Sequence, residues 1–338
     1  MYTDVMRLGL FTVCALALLL PIAASAQALG ESFGNTAGDA FTLSVSPQYP
    51  VPNSRATVSL LSNTLDLASA TMTVTVAGKQ IYKGGVQPVA VPLGRAGSTT
   101  SVVVTISSGG VNYSQTLVVQ PQDVVLVAEP ISSAPPLYPG KPSVPLEGSV
   151  RVVAVASLRN AAGKSSSPST YSYTWTVDGA QMGNISGIGK QSIIVASPLQ
   201  YRSRSVSVSV TVPDGNLVGG ASLSLAALEP SVRIYENDPL SGVRFDRALL
   251  GGYTIKNTES ALYAAPFSFP TTSGAPLVQW FLNGNMVQTG RSITLRPSGN
   301  GQGNASLSLV ASSGNFAKAT ATLSLSFGAT PSLNLFGL

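Results

Sequence analysis

The tightest group of side chains able to move a proton or hold a cation is Glu236, Asp238 and Asp246, with Glu259 farther along. Two carboxylates can act as acid and base on a glycosidic bond, and Glu236-Asn237-Asp238 presents the hard oxygens that calcium takes. Ordinary turn chemistry at Asn237-Asp238-Pro239 accounts for the same residues, so calcium at Glu236 and Asp238 is the minor expectation. A second arrangement, Gly30-Glu31-Ser32-Phe33-Gly34, has the spacing of a hydrolase nucleophile elbow. That device needs a strand before it, a helix after it and a histidine elsewhere. The chain contains no His, and no Ser-x-x-Lys pair replaces it. Its single cysteine, Cys14, lies in an N-terminal apolar run, so the usual ligands of zinc, copper, haem and iron–sulfur centres are missing. The expectation is no catalytic residue and no cofactor.

What surrounds these groups is β-rich. Hydrophobic residues make up 44% of the 338 and charged residues 10%, against about 25% charged in ordinary soluble domains. Ser, Thr, Gly, Val and Ala fill the gap. Residues 1–26 read as an export signal: Arg7 ahead of an apolar run from Leu8 to Ile22, then Ala24-Ser25-Ala26 as a cleavage site before Gln27. The expected location is therefore secreted or cell-surface. The net charge of +5 is scattered, its densest group being Arg202-Ser203-Arg204, whereas a nucleic-acid binder carries a clustered basic stripe. Nucleic acid is not an expected partner.

One pattern repeats at intervals of about a hundred residues. It reads Met72-Thr73-Val74-Thr75-Val76-Ala77-Gly78, then Tyr173-Thr174-Trp175-Thr176-Val177-Asp178-Gly179, then Val278-Gln279-Trp280-Phe281-Leu282-Asn283-Gly284. Each is a period-two strand running into a two-residue turn ending in Gly. A short apolar strand follows each, at Val89, Ile193 and Ile293, and a hairpin closes each, at Gly109-Gly110, Asp214-Gly215 and Ser313-Gly314. The period puts Val74, Trp175 and Trp280 in the core, with threonines on the opposite face in the first two units. The expected organisation is a signal (1–26), a leader (27–40), sandwiches over 41–122, 123–229 and 230–328, and an apolar tail (329–338). A Pro-rich stretch from Pro130 to Pro145 suits an edge strand or a stiff crossing segment. No long segment has a helical period, and any helix is confined to Asp246 to Leu250, one or two turns at most.

Tyr173-x-Trp175-x-x-Asp178-Gly179, echoed by Trp280-x-x-Asn283-Gly284, resembles the central strand of immunoglobulin-like and polycystic-kidney-disease-type modules of bacterial secreted or cell-surface proteins. No cysteine pair flanks the Trp, and Val74 replaces it in the first unit. The resemblance implies an all-β chain of three tandem immunoglobulin-like β-sandwiches, acting without catalysis as a spacer, adhesin or filament component. Expected partners are other surface proteins or cell-envelope polysaccharide, with self-association through the tail. A carbohydrate-binding accessory protein is the alternative, and a carboxylate-dependent glycan hydrolase the lesser one. Contact is expected from Glu236 to Phe269, which breaks the repeat, with Tyr235, Arg244, Phe245 and Arg247 as its amphipathic side chains.

Overall fold

The computed structural model describes residues 40–136, 138–255, 259–298 and 302–328. The signal, nearly all of the leader, residues 30–34 and the tail lie outside the described residues. Strands in the first unit are β1 (Thr42–Ser46), β2 (Arg55–Leu61), β3 (Thr71–Val76), β4 (Lys79–Gly85), β5 (Val89–Pro92), β6 (Thr100–Ser108) and β7 (Val111–Val119). They form two sheets, β1-β2-β5 and β4-β3-β6-β7. The second unit has β8 (Asp123–Pro130), β9 (Ser149–Ser157), β10 (Ser172–Val177), β11 (Ala180–Gln181), β12 (Gly187–Ile188), β13 (Ser192–Ala196), β14 (Ser203–Thr211) and β15 (Val218–Ala226). Its sheets are β13-β9-β8 and β11-β10-β14-β15, with β12 also on β10. The third has β16 (Ser231–Asp238), β17 (Gly242–Val243), β18 (Gly251–Ile255), β19 (Ser260–Phe267), β20 (Leu277–Leu282), β21 (Asn285–Thr289), β22 (Ser292–Leu295), β23 (Gly303–Ser313) and β24 (Ala317–Phe327). These make sheets β17-β16-β19-β22 and β18-β24-β23-β20-β21. In the first two units the chain starts with two strands in one sheet, crosses, returns for one strand and crosses again; the third follows the same path with an added crossing to β18 and back. This is the traverse of immunoglobulin-like and fibronectin-III-type sandwiches. The protein is all-β, three tandem sandwiches, with only two short 3-10 turns among the described residues.

Local chemistry explains the recurrence. The turns at Ala77-Gly78, Asp178-Gly179 and Asn283-Gly284 have positive φ at both central residues. That is the primed turn whose twist matches the flanking strands, and Gly takes the second position without strain. In each turn the first residue donates its N–H across the sheet, to the carbonyls of Ser101, Ser205 and Ser306. Where that residue is Asp178 or Asn283, its side chain also accepts the N–H of Ser205 or Ser306, both at 2.9 Å. Three hydrophobic clusters fill the three sandwiches. Val74, Trp175 and Trp280 stand at equivalent points, opposite Val104, Val208 and Leu309. Both indoles are fully buried, and each donates its N–H to a backbone carbonyl at 2.8 Å, of Lys190 and Gly290.

The segment that breaks the repeat is mostly strand. β16 pairs with β19 in one sheet; after the β16–β17 hairpin the chain crosses and β18 pairs parallel with β24 in the other sheet. This closes an edge that is open in the first two units, where β7 and β15 are terminal in their sheets. No helix forms at Asp246 to Leu250. Leu249 is drawn back to the β16 edge instead, its N–H bonded to the Ile234 carbonyl at 2.8 Å.

Both junctions are held by specific polar contacts. Gln122 donates to the Arg159 carbonyl at 3.0 Å and accepts the Arg159 N–H at 2.7 Å. Gln120 donates to the Gly97 carbonyl, and the Tyr49 hydroxyl reaches Ser209 of the second unit at 3.1 Å. At the second junction the Pro-rich arm, residues 130–145, crosses onto the third unit. Ser133 exchanges backbone bonds with Ser268 and Phe269, and its hydroxyl accepts the Phe269 N–H. Glu147 accepts the Phe316 N–H. Among the described residues the buried polar side chains are Gln122, Ser133 and Ser268, all at junctions. Buried polar groups need fixed partners, so each junction has one well-defined geometry.

Candidate functional site: a cleft between the second and third sandwiches

β16 alternates strictly: Val232 and Ile234 point into the third core, while Ser231, Arg233 and Tyr235 lie on the sheet's outer face. Their partners on β19 are Phe267, Ala265 and Tyr263. The outer face of this sheet therefore carries two aromatic residues, Tyr235 and Tyr263, on one side of Arg233 and one, Phe267, on the other. The loop after β17 folds Phe245 over it, 5.3 Å from the Tyr235 ring and 6.0 Å from the Tyr263 ring, both edge-on. From the opposite side the Pro-rich arm brings Tyr138 edge-on to Phe267 at 5.6 Å. Between arm and sheet lies a cleft of about 730 Å³, walled by Pro135, Pro136 and Pro139, floored by Arg233 and Tyr235, and rimmed by Glu229.

Edge-on pairs are among the favoured aromatic geometries. Arg233 sits over the Phe267 ring at 5.7 Å, a cation–π contact. The Arg233 guanidinium is in none of the ion pairs among the described residues, which join Arg151 to Glu129, Arg204 to Asp178, Arg244 to Asp246 and Arg296 to Glu259. Glu229 accepts a bond from Gln200 at 2.8 Å. A concave, ring-lined space of this volume with a few polar groups has the makeup of a ligand site.

Of the contact residues expected from sequence, the structure brings Tyr235 and Phe245 together in this cleft. Tyr235 is a wall rather than a projecting tip, only 5% exposed. Arg244 and Arg247 are exposed on the Phe245 loop, Arg244 paired with Asp246 at 3.5 Å. Glu236 and Asp238 have other work. The Glu236 carboxylate accepts the Tyr253 hydroxyl at 3.2 Å. Asp238 accepts the N–H groups of Leu240 and Ser241, both at 2.8 Å. These Ser241 and Leu240 bonds hold the Asp238 carboxyl below its ordinary value. Burial raises the Tyr253 phenol, with Glu236 adding to the effect. No group of three or more His, Cys, Asp or Glu side chains able to hold a metal occurs among the described residues. Sequence reading missed Tyr138, Arg233, Tyr263 and Phe267. The signal was there in part: Arg233 and Tyr235 alternate against Val232 and Ile234. On β19 it was masked, because Ala264, Ala265 and Pro266 are all buried and blur the period.

No family model matches the chain, and no curated protein matches it. Among solved structures it is similar to the three N-terminal domains of the bacteriophage RB49 Highly Immunogenic Outer Capsid protein, at 12% identity over 86% of this chain and 100% of that one, TM-score 0.24. It is also similar to the central fibronectin-III array of RIM-binding protein, at 10% identity over 86% and 96%, TM-score 0.28. A third is the Bacteroides ovatus mixed-linkage glucan utilization locus protein SGBP-B, in complex with a mixed-linkage heptasaccharide, at 12% identity over 84% and 70%, TM-score 0.22. At such scores the fold assignment rests on the strand pairing above and not on these superpositions.

Proposed function

We propose that this protein is a non-enzymatic, exported surface element, a stiff array of sandwiches that sets a distance and makes contact through a face of its last two units. The observation that supports it best is the burial of Gln122, Ser133 and Ser268 at the junctions, where the Gln122 and Ser133 side chains and the Ser268 main-chain N–H bond one sandwich to the next. Flexible tethers do not bury polar side chains at this cost; a spacer that must hold its reach does. Among the described residues no helix is long and apolar enough to cross a membrane, and the N-terminal apolar run supplies the export route. Other surface proteins or envelope polysaccharide are the partners, and the apolar tail is the segment for self-association.

A second reading, carbohydrate binding, is favoured by the outward rings of Tyr138, Tyr235, Phe245 and Phe267. Two observations on the full chain test the proposal. Protease added to intact producing cells should release fragments of it. Attachment of those cells should be unchanged by Glu236→Gln with Asp238→Asn. Polysaccharide hydrolysis by the purified protein that disappears in that double variant would overturn the non-enzymatic reading.

A further inference from the structure

The charge around the cleft is unequal. Arg233 occupies its floor with no carboxylate partner among the described ion pairs. Arg247 stands exposed beside Phe245 on the covering loop, and Arg244 is only loosely held, 3.5 Å from Asp246. The one acidic lining residue, Glu229, is turned to Gln200 at the rim. The whole chain carries +5. The Arg233 guanidinium, held over Phe267, is a planar fork whose paired N–H groups suit a carboxylate.

The rings are spaced for an extended ligand. Tyr235 and Phe245 lie at one end of the floor, Phe267 and Tyr138 at the other. Phe267 is the register partner of Ser231, four residues from Tyr235 along β16, which is about 13 Å of strand. That exceeds one sugar ring and suits a short run of them. The cleft opens onto the outer face of the sheet, so its occupant meets ring surfaces and the Arg233 side chain before it meets the backbone of β16. A sugar ring, apolar on its faces and polar around its rim, matches alternating ring surfaces and polar groups.

We propose that this cleft binds an acidic saccharide chain, its sugar rings packed on Tyr138, Phe245 and Phe267 and one carboxylate held by Arg233. This rests on the surface-contact reading above and names its ligand class.

The test is calorimetric titration of the full mature chain with an oligogalacturonate hexamer, a neutral cellohexaose and a proline-rich peptide, at low and high salt. The acidic oligomer should bind, more weakly as salt rises, and the neutral one roughly tenfold or more weaker. Arg233→Gln should remove that preference while thermal unfolding stays that of the parent, and Tyr138→Ala should weaken both sugars. Phe316→Ala, exposed and outside the cleft lining, should leave binding intact. Equal binding of acidic and neutral oligomers, binding of the peptide alone, no binding at all, or an unchanged preference in Arg233→Gln would each overturn the proposal. If binding fails while protease still releases the protein from intact cells, only the ligand assignment falls.

Discussion

At the scale of single residues, one core position decides much of each sandwich's stability. Trp175 and Trp280 are fully buried and hydrogen-bonded through their indoles; Val74 fills the same place with far less volume. Trp175→Ala should destabilise the protein by about 3–5 kcal/mol, read from denaturant unfolding. A loss under about 1 kcal/mol would mean the site is not packed as described. Asp178 and Asn283 strengthen their turns by accepting a cross-sheet N–H that Ala77 cannot accept. Asp178→Ala should accordingly cost about 1 kcal/mol. Asp238 gives a pH signature. Its folded pKa is depressed, so its turn bonds contribute fully above the unfolded value and are lost as pH falls through the lower folded one. The Leu240 and Ser241 amide resonances should move together in an acid titration, with a midpoint below the ordinary aspartate value of 3.8; a midpoint at or above it would contradict the bonding. The inward set Tyr173, Trp175 and Val177 was legible because period two against threonines leaves one register. The same alternation in Arg233 and Tyr235 was legible too, but it could not say what would cover them.

At the scale of elements, the instructive segment is Glu236 to Phe269. Its departure from the repeat suggested a contact loop; most of it turns out to be structural. β18 changes sheets and lies parallel to β24, closing the edge of the third sandwich. Nothing local in Gly251-Gly252-Tyr253-Thr254-Ile255 specifies a parallel partner some seventy residues on, since parallel pairing is set by which edge is left open. The Pro-rich arm was readable as a crossing segment from proline chemistry alone. Its destination depends on Ser268, Phe269 and Pro270 of another unit. The cleft follows from both features, which is why only Tyr235 and Phe245 of its lining were found beforehand. Phe245 is half-buried over Tyr235 and Tyr263. Phe245→Ala should therefore cost less than the about 3 kcal/mol floor of a buried ring, while uncovering Tyr235 to solvent, measurable as increased quenching of tyrosine emission by acrylamide. Unchanged quenching would place Phe245 elsewhere.

At the scale of the whole molecule, three sandwiches joined through buried Gln122 and Ser133 should behave as one body and not as beads on a string. Small-angle X-ray scattering of residues 27–338, alone and as the Gln122→Ala/Ser133→Ala variant, tests this most directly. A single fixed arrangement of residues 40–328 should fit the parent profile at all salt concentrations, and the variant should need a spread of arrangements. A parent profile that only freely jointed sandwiches can fit would contradict the account.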